Sequence, residues 1–135
     1  MALTKVTGAG IGTVTNQFAD ANMSAGSVIQ VVTATDSTQR TTTSTSFVTA
    51  SNTLAVSITP SSTSNKIFVT ANFSYLTANG THSFRPTIYR DSTNLGDSSQ
   101  GFGNLFDGTN YEYSHATLQI LDSPSTTSAT TYQVY

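Results

Sequence analysis

The sequence contains no cysteine and few charged residues. Without cysteine the chain can form neither disulfides nor thiolate metal sites, and it offers no cysteine nucleophile. The 5 basic and 7 acidic side chains give a net charge of -2, which is not the basic surface that binds nucleic acids or anionic membranes. No run of about 18 apolar residues predicts a membrane-spanning helix, and the first residues lack the apolar core of a signal peptide. We therefore expect no nucleic-acid partner, no membrane insertion and no cleaved leader.

Aliphatic hydroxyl groups take the place of charge in this chain. It contains 26 Thr and 19 Ser among 135 residues. Thr is β-branched and fits a pleated, half-solvated strand, and such a composition is typical of extracellular or particle-borne β proteins. A disordered Ser/Thr tract is the alternative, but the 7 Phe and 6 Tyr and the alternating strands argue against it. A chain of this length suits one domain with a modest core.

Two runs of alternating apolar and polar residues between Leu54 and Tyr75 form the centre of the predicted fold. Apolar residues occupy positions 54, 56 and 58 in the first run and 67, 69, 71, 73 and 75 in the second. A period of two predicts antiparallel strands with one buried face. Pro60 has no N–H donor and ends the first strand. The short polar side chains of residues 61–65 suit a turn.

Further strands are predicted on both sides of this centre. They are Ser27–Ala34, Ser46–Ala50, His82–Arg90, Tyr111–Leu121 and Thr131–Tyr135. The Asn79–Gly80 pair favours a tight hairpin turn ahead of His82, because both residues tolerate positive φ angles. About eight short strands separated by turn signals indicate an all-β fold, an antiparallel β-sandwich or jelly roll. We assign the sandwich to residues 28–135.

Residues 1–27 differ from the rest and predict an extended N-terminal arm. Glycines interrupt the segment, and its apolar residues are too sparse to bury enough surface for independent folding. A short helical turn is expected near Phe18–Met23. We interpret the arm as an attachment element that becomes ordered on another chain; a floppy terminus is the alternative. The candidate anchor residues are Leu3, Val6, Ile11, Val14 and Phe18.

Residues 91–110 form the longest polar connection, which is uncommon in a compact domain and often functional. Four apolar side chains lie within it: Leu95, Phe102, Leu105 and Phe106. We expect its glycines to keep the loop flexible. The apolar side chains must pack either on the domain's own sheet or on a neighbouring subunit, and we treat them as a candidate subunit interface.

Few residues offer catalytic or metal-binding chemistry. The two histidines, His82 and His115, have no cysteine to join them. Asp107–Asn110 with Glu112 loosely matches a calcium loop but lacks its full spacing, so an ordinary turn is favoured. Nothing in the sequence separates the pKa values of Asp107 and Glu112 as a glycosidase pair requires. No nucleophile elbow is present, and we expect no metal, no cofactor and no enzymatic activity.

An outward row on the predicted strand Tyr111–Leu121 is the most distinctive exposed feature. Tyr111, Tyr113 and His115 fall on the face opposite Ala116, Leu118 and Ile120. Aromatic rings beside hydroxyls can stack on sugars, and they also anchor protein interfaces. The row is therefore a candidate glycan or interface site. The alternative, which the pattern favours, is burial against the second sheet or another subunit.

Five segments of the chain carry a family resemblance: G-S-V-I-Q-V-V at 26–32, T-S-T-S-F-V-T at 43–49, S-I-T-P-S-S-T-S-N-K-I-F-V at 57–69, Y-R-D-S-T-N-L at 89–95 and T-T-Y-Q-V at 130–134. Together they resemble a recurring module of bacteriophage tail-fibre and fibre-like virion proteins, many from marine phages. The resemblance implies a structural part of the virion, often a trimer, with no catalytic residues to carry over. Members usually continue beyond the position of Tyr135, so we expect either that the natural chain does the same or that Tyr135 pairs at a sheet edge.

These observations lead to three hypotheses. The first is a structural virion protein, fibre or fibre-like, made in the host cytoplasm and attached through its arm to other virion proteins. We expect it to assemble as a homotrimer or another symmetric homo-oligomer. The second is a carbohydrate-binding adhesin module that recognises host surface glycans. The third, a glycan hydrolase, is disfavoured because no carboxylate pair lies on adjacent predicted strands. The position on the particle and the identity of the receptor stay open.

Overall fold

The computed structural model describes residues 23–24, 26–77, 82–107 and 111–135, with the backbone alone at residues 82 and 105–107. Within these ranges there are eight strands and no helix. The strands are β1 (Ala55–Ile58), β2 (Ile67–Thr77), β3 (His82–Phe84), β4 (Ile88–Arg90), β5 (Thr93–Asn94), β6 (Leu105–Asp107), β7 (Glu112–Asp122) and β8 (Thr130–Val134). Every pairing is antiparallel, so the predicted all-β, antiparallel fold class is confirmed.

The two longest strands, β2 and β7, form a two-stranded ribbon. Their register runs from Ile67↔Asp122 to Thr77↔Glu112 without a bulge. Side chains of β2 alternate between half-buried and exposed along almost its whole length, because successive residues of a strand point to opposite faces. The alternation predicted for both strands from their apolar period is confirmed.

A second sheet of four strands has the order β1-β8-β4-β5. The strand that comes last in the sequence, β8, therefore lies between β1 and β4. Ala55 pairs with Gln133 on one side of β8, and Ile88 pairs with Val134 on the other. The short strands β3 and β6 form a separate pair. Except for β4 and β5, consecutive strands thus belong to different sheets.

The hydrophobic core joins the ribbon to the four-stranded sheet. Ile58, Ile88 and Tyr132 from the second sheet cluster with Leu118 from β7. The half-buried face of β2 packs against this cluster with Val69, Ala71 and Phe73. The two sheets therefore pack face to face as the layers of a sandwich. Each fully buried aliphatic side chain stabilises such a core by about 1.5–3 kcal/mol.

Two predicted strands in the first part of the chain are wrong. Neither Ser27–Ala34 nor Ser46–Ala50 belongs to a ladder among the described residues. Both segments have strand propensity, but propensity produces a strand only where a partner edge is available. Residues 46–50 are held instead by isolated contacts. The Phe47 ring meets the Tyr89 ring edge-on at 6.4 Å, and the Ala50 amide donates to the Val134 carbonyl at 3.1 Å.

The single strand predicted over His82–Arg90 is also wrong. It is divided at Pro86 into β3 and β4, which belong to different sheets. Proline has no N–H donor and interrupts a central strand. Beyond the break, Thr87 and Tyr135 exchange two backbone hydrogen bonds of 2.9 Å. Pro86 thus redirects the chain from the β3–β6 pair into the four-stranded sheet.

The long connection after β4 is a tightly bonded structure rather than a flexible loop, contrary to the prediction. The Asp97 side chain accepts hydrogen bonds from the backbone amides of Ser99 and Gln100, both at 2.8 Å. These bonds hold the pKa of the Asp97 carboxyl below its usual value. The backbones of Asp97 and Gly101 close the turn with two further bonds of 2.9 and 3.0 Å. The glycines therefore permit close packing rather than motion.

A carboxylate fixes the segment that leads into β1. Asp36 accepts hydrogen bonds from the hydroxyl groups of Ser51 and Thr53, the guanidinium of Arg40 and the amide of Thr38. Its side chain is 8% exposed. The bond from Ser51, followed by those from Thr53, Arg40 and Thr38, holds the pKa of the Asp36 carboxyl far below its usual value. This carboxylate ties residues 36–40 to residues 51–53.

Replacing Asp36 by asparagine is expected to loosen residues 36–53, because a neutral amide cannot accept all of these bonds. The depressed pKa of Asp36 stabilises the fold above the unfolded-state value of 3.8, and this contribution is lost as the pH falls below that value. Amide hydrogen exchange of residues 36–53 should therefore accelerate in Asp36→Asn at pH 7. Arg40→Gln is the matched control, since it keeps the hydroxyl bonds and removes only an exposed ion pair. Equal exchange in Asp36→Asn and the wild type would contradict the expectation.

Candidate functional site

The exposed side of the β2–β7 ribbon is the candidate site, and we call it the outer face. Five residues of β2 and five of β7 point away from the core. They are Phe68, Thr70, Asn72, Ser74 and Leu76 on β2, and Tyr113, His115, Thr117, Gln119 and Leu121 on β7. All ten are exposed, so none is covered by another part of the chain that the structure describes.

The middle of the outer face is polar and internally bonded. Asn72 lies opposite Thr117, whose hydroxyl donates to the Asn72 carbonyl oxygen at 2.7 Å. Ser74 lies opposite His115, and its hydroxyl is 2.9 Å from Nδ1 of the imidazole. Directly opposed polar pairs of this kind stabilise a two-stranded ribbon by about 0.2–1 kcal/mol each. They also fix the orientation of the His115 ring at the surface.

The two ends of the outer face are apolar. At one end Phe68 lies opposite Leu121, and at the other Leu76 lies opposite Tyr113. Tyr113 is 79% exposed and Tyr111, which precedes β7, is 62% exposed. Large exposed apolar groups in a contiguous patch mark interaction surfaces. The outer face therefore presents two apolar ends separated by hydrogen-bonding groups.

The structure brings the predicted row of Tyr111, Tyr113 and His115 to the surface. The alternative of burial against the domain's own second sheet is wrong for these side chains, because all three are exposed. Ala116, Leu118 and Ile120 occupy the opposite, inner side as predicted. An accessible aromatic ring beside a fixed imidazole can stack on the apolar face of a sugar and bond its hydroxyl groups. A role in glycan binding or in a subunit interface stays a prediction.

A groove of about 230 Å³ lies beside the outer edge of β7. One wall consists of residues 115–118 of that strand, and the other of Pro86, Phe102 and Gly103. The Phe102 amide donates to the Pro86 carbonyl at 2.9 Å, which holds this second wall in place. His115 is common to the groove and the outer face.

The structure places the candidate interface residues of the long connection in two different parts of the fold. Leu95 and Phe102 are half-buried and pack against the hydrophobic core of their own domain. Leu105 and Phe106 belong to β6 and pair with Phe84 and Ser83 through the backbone, while their side chains lie outside the described residues. A second subunit is thus not needed to cover Leu95 and Phe102. Their role in an interface stays a prediction.

Several other predicted positions fall outside the described residues. The anchor residues Leu3, Val6, Ile11, Val14 and Phe18 do so, as do the turn at residues 78–81, the helical turn over most of its predicted length and residues 108–110 of the loose calcium match. Glu112 is described and exposed. In the part of the chain that can be examined, no three His, Asp or Glu side chains come together as metal ligands.

A polar cluster between the two sheets was missed by the sequence interpretation. Nη1 of Arg90 donates to both carboxylate oxygens of Asp122 at 2.9 Å, and the Tyr132 hydroxyl donates to the same carboxylate at 2.6 Å. Asp122 ends β7, whereas Arg90 and Tyr132 belong to the four-stranded sheet. The cluster connects the layers of the sandwich. The chain has only 12 charged residues. The sequence signal that could have revealed the cluster was the presence of charged residues at the ends of otherwise apolar strands.

Within the described residues no helix has the length and hydropathy to cross a membrane. Comparison of the chain with protein-family models, curated proteins and solved structures found no match. The resemblance to phage fibre proteins therefore stays a prediction.

Proposed function

We propose that this protein is a structural component of a bacteriophage virion, a fibre or fibre-like appendage that contributes to host attachment. The fibre resemblance of five segments suggests this class. The observation that carries the proposal is the outer face of the β2–β7 ribbon, a broad exposed surface with apolar ends and a polar centre. Such a surface suits contact with another macromolecule rather than enclosure of a small substrate.

In this proposal residues 1–27 attach the domain to other virion proteins, and the domain self-associates as a homotrimer. Its exposed apolar side chains support association, since they include Phe68 and Leu121 at one end of the outer face. The four-stranded sheet also supports association, because no further strand among the described residues pairs with its edge strands β1 and β5. We further propose that the protein resides in the virion and has no enzymatic activity.

Deletion of residues 1–26 tests the attachment role. The truncated protein is expected to keep the β-rich circular dichroism and the unfolding midpoint of the full chain, because every described strand lies after residue 54. It is also expected to be absent from purified phage particles produced in a host that expresses it. The full-length chain expressed in the same way is the control. Normal incorporation of the truncated protein would overturn the attachment role.

A second candidate, a carbohydrate-binding adhesin module, is favoured by one observation. Tyr113 is highly exposed beside His115, whose ring is held by Ser74. In this candidate the tyrosine stacks on a host glycan and the imidazole bonds its hydroxyl groups. Stacking of a sugar on a tyrosine ring depends on an accessible aromatic face rather than on a deep cavity.

The double substitution Tyr111→Ala and Tyr113→Ala is expected to lower binding to host cells at least tenfold if the adhesin candidate is right. Stability should change by less than about 0.5 kcal/mol, because exposed side chains away from the core contribute little. Phe68→Ala, at the other end of the same face, is the matched control. Loss of particle assembly instead of cell binding would assign the row to a subunit interface, and no change in either assay would remove it from the site.

A further inference from the structure

We propose that residues 27–34 of one copy of the chain add as a strand to the free edge of β7 in a second copy, with their side chains in the adjacent groove. This inference rests on the self-association proposed above and specifies how it occurs. It joins two features of the part of the chain that the structure describes: a strand-like segment that belongs to no ladder and a sheet edge that pairs with no strand.

The proposed donor segment has the composition of a strand and lacks a ladder. Its sequence is S-V-I-Q-V-V-T-A. Two β-branched apolar residues precede Gln30 and two follow it. Val28 is 75% and Val31 74% exposed. An uncharged, β-branched segment in this state pairs readily with any open sheet edge. A segment of this composition is therefore expected to pair with another strand.

The proposed acceptor is the edge of β7 that faces away from β2. Among the described residues, the backbone of β7 pairs only with β2. Natural edge strands are protected by lysine, proline, bulges or a covering segment. Between Glu112 and Asp122, β7 has no lysine, no proline and no charged residue, and its register is unbroken. Among the described residues, no strand pairs with this edge along residues 113–121.

A groove beside residues 115–118 supports the β7 edge as the acceptor. On the inner face of the ribbon, the Phe84 ring already stacks on Tyr75 at 4.6 Å and meets Phe73 edge-on at 5.9 Å. On the β7 side, the groove beside residues 115–118 is open and bounded by Pro86, Phe102 and Gly103. Strand addition combines backbone hydrogen bonds along an edge with pockets for alternate side chains. The β7 edge offers both.

Dimensions and polarity match the proposed pairing. An eight-residue strand is about 26 Å long and an eleven-residue edge about 37 Å, so the donor fits within the edge. A space of about 150 Å³ holds a benzene ring, and the groove of about 230 Å³ has room for Ile29 or Val31, which fall on the same face of an extended strand. Neither the donor nor residues 113–121 carry a charge that would need to be desolvated.

Cross-linking between chains tests the contact directly, and the absence of native cysteine makes the labelling specific. Val31→Cys and Gly103→Cys are introduced into separate full-length chains that differ in tag length, and the mixture is treated with a short bismaleimide. The expected product is a mixed covalent dimer in high yield. Val31→Cys mixed with Ser64→Cys, which lies in the exposed β1–β2 connection, is the control and should give little. Equal yields from the two mixtures would overturn the proposal.

Filling the groove tests the same contact without cysteine. A Cβ at Gly103 would meet no atom within 4 Å, so Gly103→Trp is expected to fold normally and to weaken self-association at least tenfold by light scattering. Ser64→Trp, in the exposed β1–β2 connection, is the matched control and should behave as the wild type. Amide exchange of residues 28–34 should be slow in the wild type at high concentration and fast in Gly103→Trp.

The outcomes separate this inference from the proposed homotrimer. If the wild type is oligomeric and Gly103→Trp leaves both its mass and the exchange of residues 28–34 unchanged, strand addition to β7 is wrong while self-association stands. If the wild type is monomeric at tens of micromolar, both are wrong. If residues 28–34 are protected in a monomer, the segment pairs within its own chain, which also overturns the proposal.

Discussion

Replacing Gly101 by alanine is expected to lower the free energy of unfolding by about 3 kcal/mol. Gly101 has a φ of +62°, in the left-handed region that costs a residue with a Cβ about 1–2 kcal/mol. The added methyl group would also overlap the Pro86 carbonyl oxygen and lie 3.1 Å from Cβ of Thr87, which is fully buried. Because the obstructing atoms belong to the backbone and to a buried side chain, they cannot rotate away. A loss of this size lowers the melting temperature by roughly 10–20 °C.

Gly103→Ala is the matched control for this prediction. It changes the same residue type two positions later, where the new Cβ meets no neighbour and φ is not positive. Its melting temperature should stay within about 2 °C of the wild type, since surface substitutions usually change stability by less than 0.5 kcal/mol. Equal melting temperatures for the two variants would show that the turn at residues 97–101 adapts, contrary to its description as a rigid structure.

Replacing Asp122 by alanine is expected to cost about 3 kcal/mol. The Tyr132 side chain is 2% exposed, so its hydroxyl would lose its acceptor where water cannot replace it. Arg90 is 25% exposed in its side chain and can recover part of its hydration, which limits the loss. In the described part of the wild type, no buried side-chain nitrogen or oxygen lacks a partner. The substitution would create such an atom at the junction of the two sheets.

The substitution Tyr132→Phe separates the contribution of the tyrosine hydrogen bond from that of the Arg90–Asp122 ion pair. It removes one hydrogen bond but leaves Asp122 bonded to Arg90, so the expected loss is only about 1–1.5 kcal/mol in urea unfolding. The double variant Asp122→Ala with Tyr132→Phe should lose less than the sum of the two single variants, because the hydroxyl left unsatisfied by the first change is removed by the second. Strict additivity would show that the two side chains act independently.

The same tyrosine predicts a dependence on alkaline pH. Burial, followed by the hydrogen bond to Asp122, raises the pKa of the Tyr132 phenol above its ordinary value of 10.0. The fold thus favours the neutral phenol, and this contribution is fully present below the unfolded-state pKa and lost as the pH rises above it. The difference in stability between the wild type and Tyr132→Phe should therefore shrink above pH 10. A constant difference would contradict the assigned environment.

The central part of the fold could be predicted because its pattern is local. In β2 and β7 every second residue is apolar, and a period of two determines which side chains face the core before any partner is known. The inner and outer sides of both strands, including the exposure of Tyr113, follow from that pattern. What covers an outward side chain depends on other chains, which is why the sequence could not decide between a free and a buried row.

The errors have a common physical origin in long-range structure. Ser27–Ala34 has the composition of a strand, but its pairing depends on an edge that no local pattern reveals. The loop expected to be flexible after β4 is instead closed by hydrogen bonds between Asp97 and Gly101. Gly101 also lies close to Pro86, a segment that the sequence does not show to be adjacent. The break at Pro86 was an exception, since proline alone is sufficient to predict it. The Asp122 cluster could not be predicted, because its residues come from two sheets whose packing the sequence does not reveal.

The central position of β8 in the four-stranded sheet has a consequence for folding during synthesis. Neither β1 nor β4 can complete its ladder until β8 is available, and β8 follows every other described strand in the sequence. At about 5–20 residues per second, roughly 4–15 s separate the synthesis of β1 from that of β8. Pairings between such distant segments are also slow to form, because the intervening loop must first be closed. Several chains that are being synthesised on one messenger RNA thus carry unpaired strands close to one another. Chaperones that bind extended apolar segments should therefore determine the yield of folded protein.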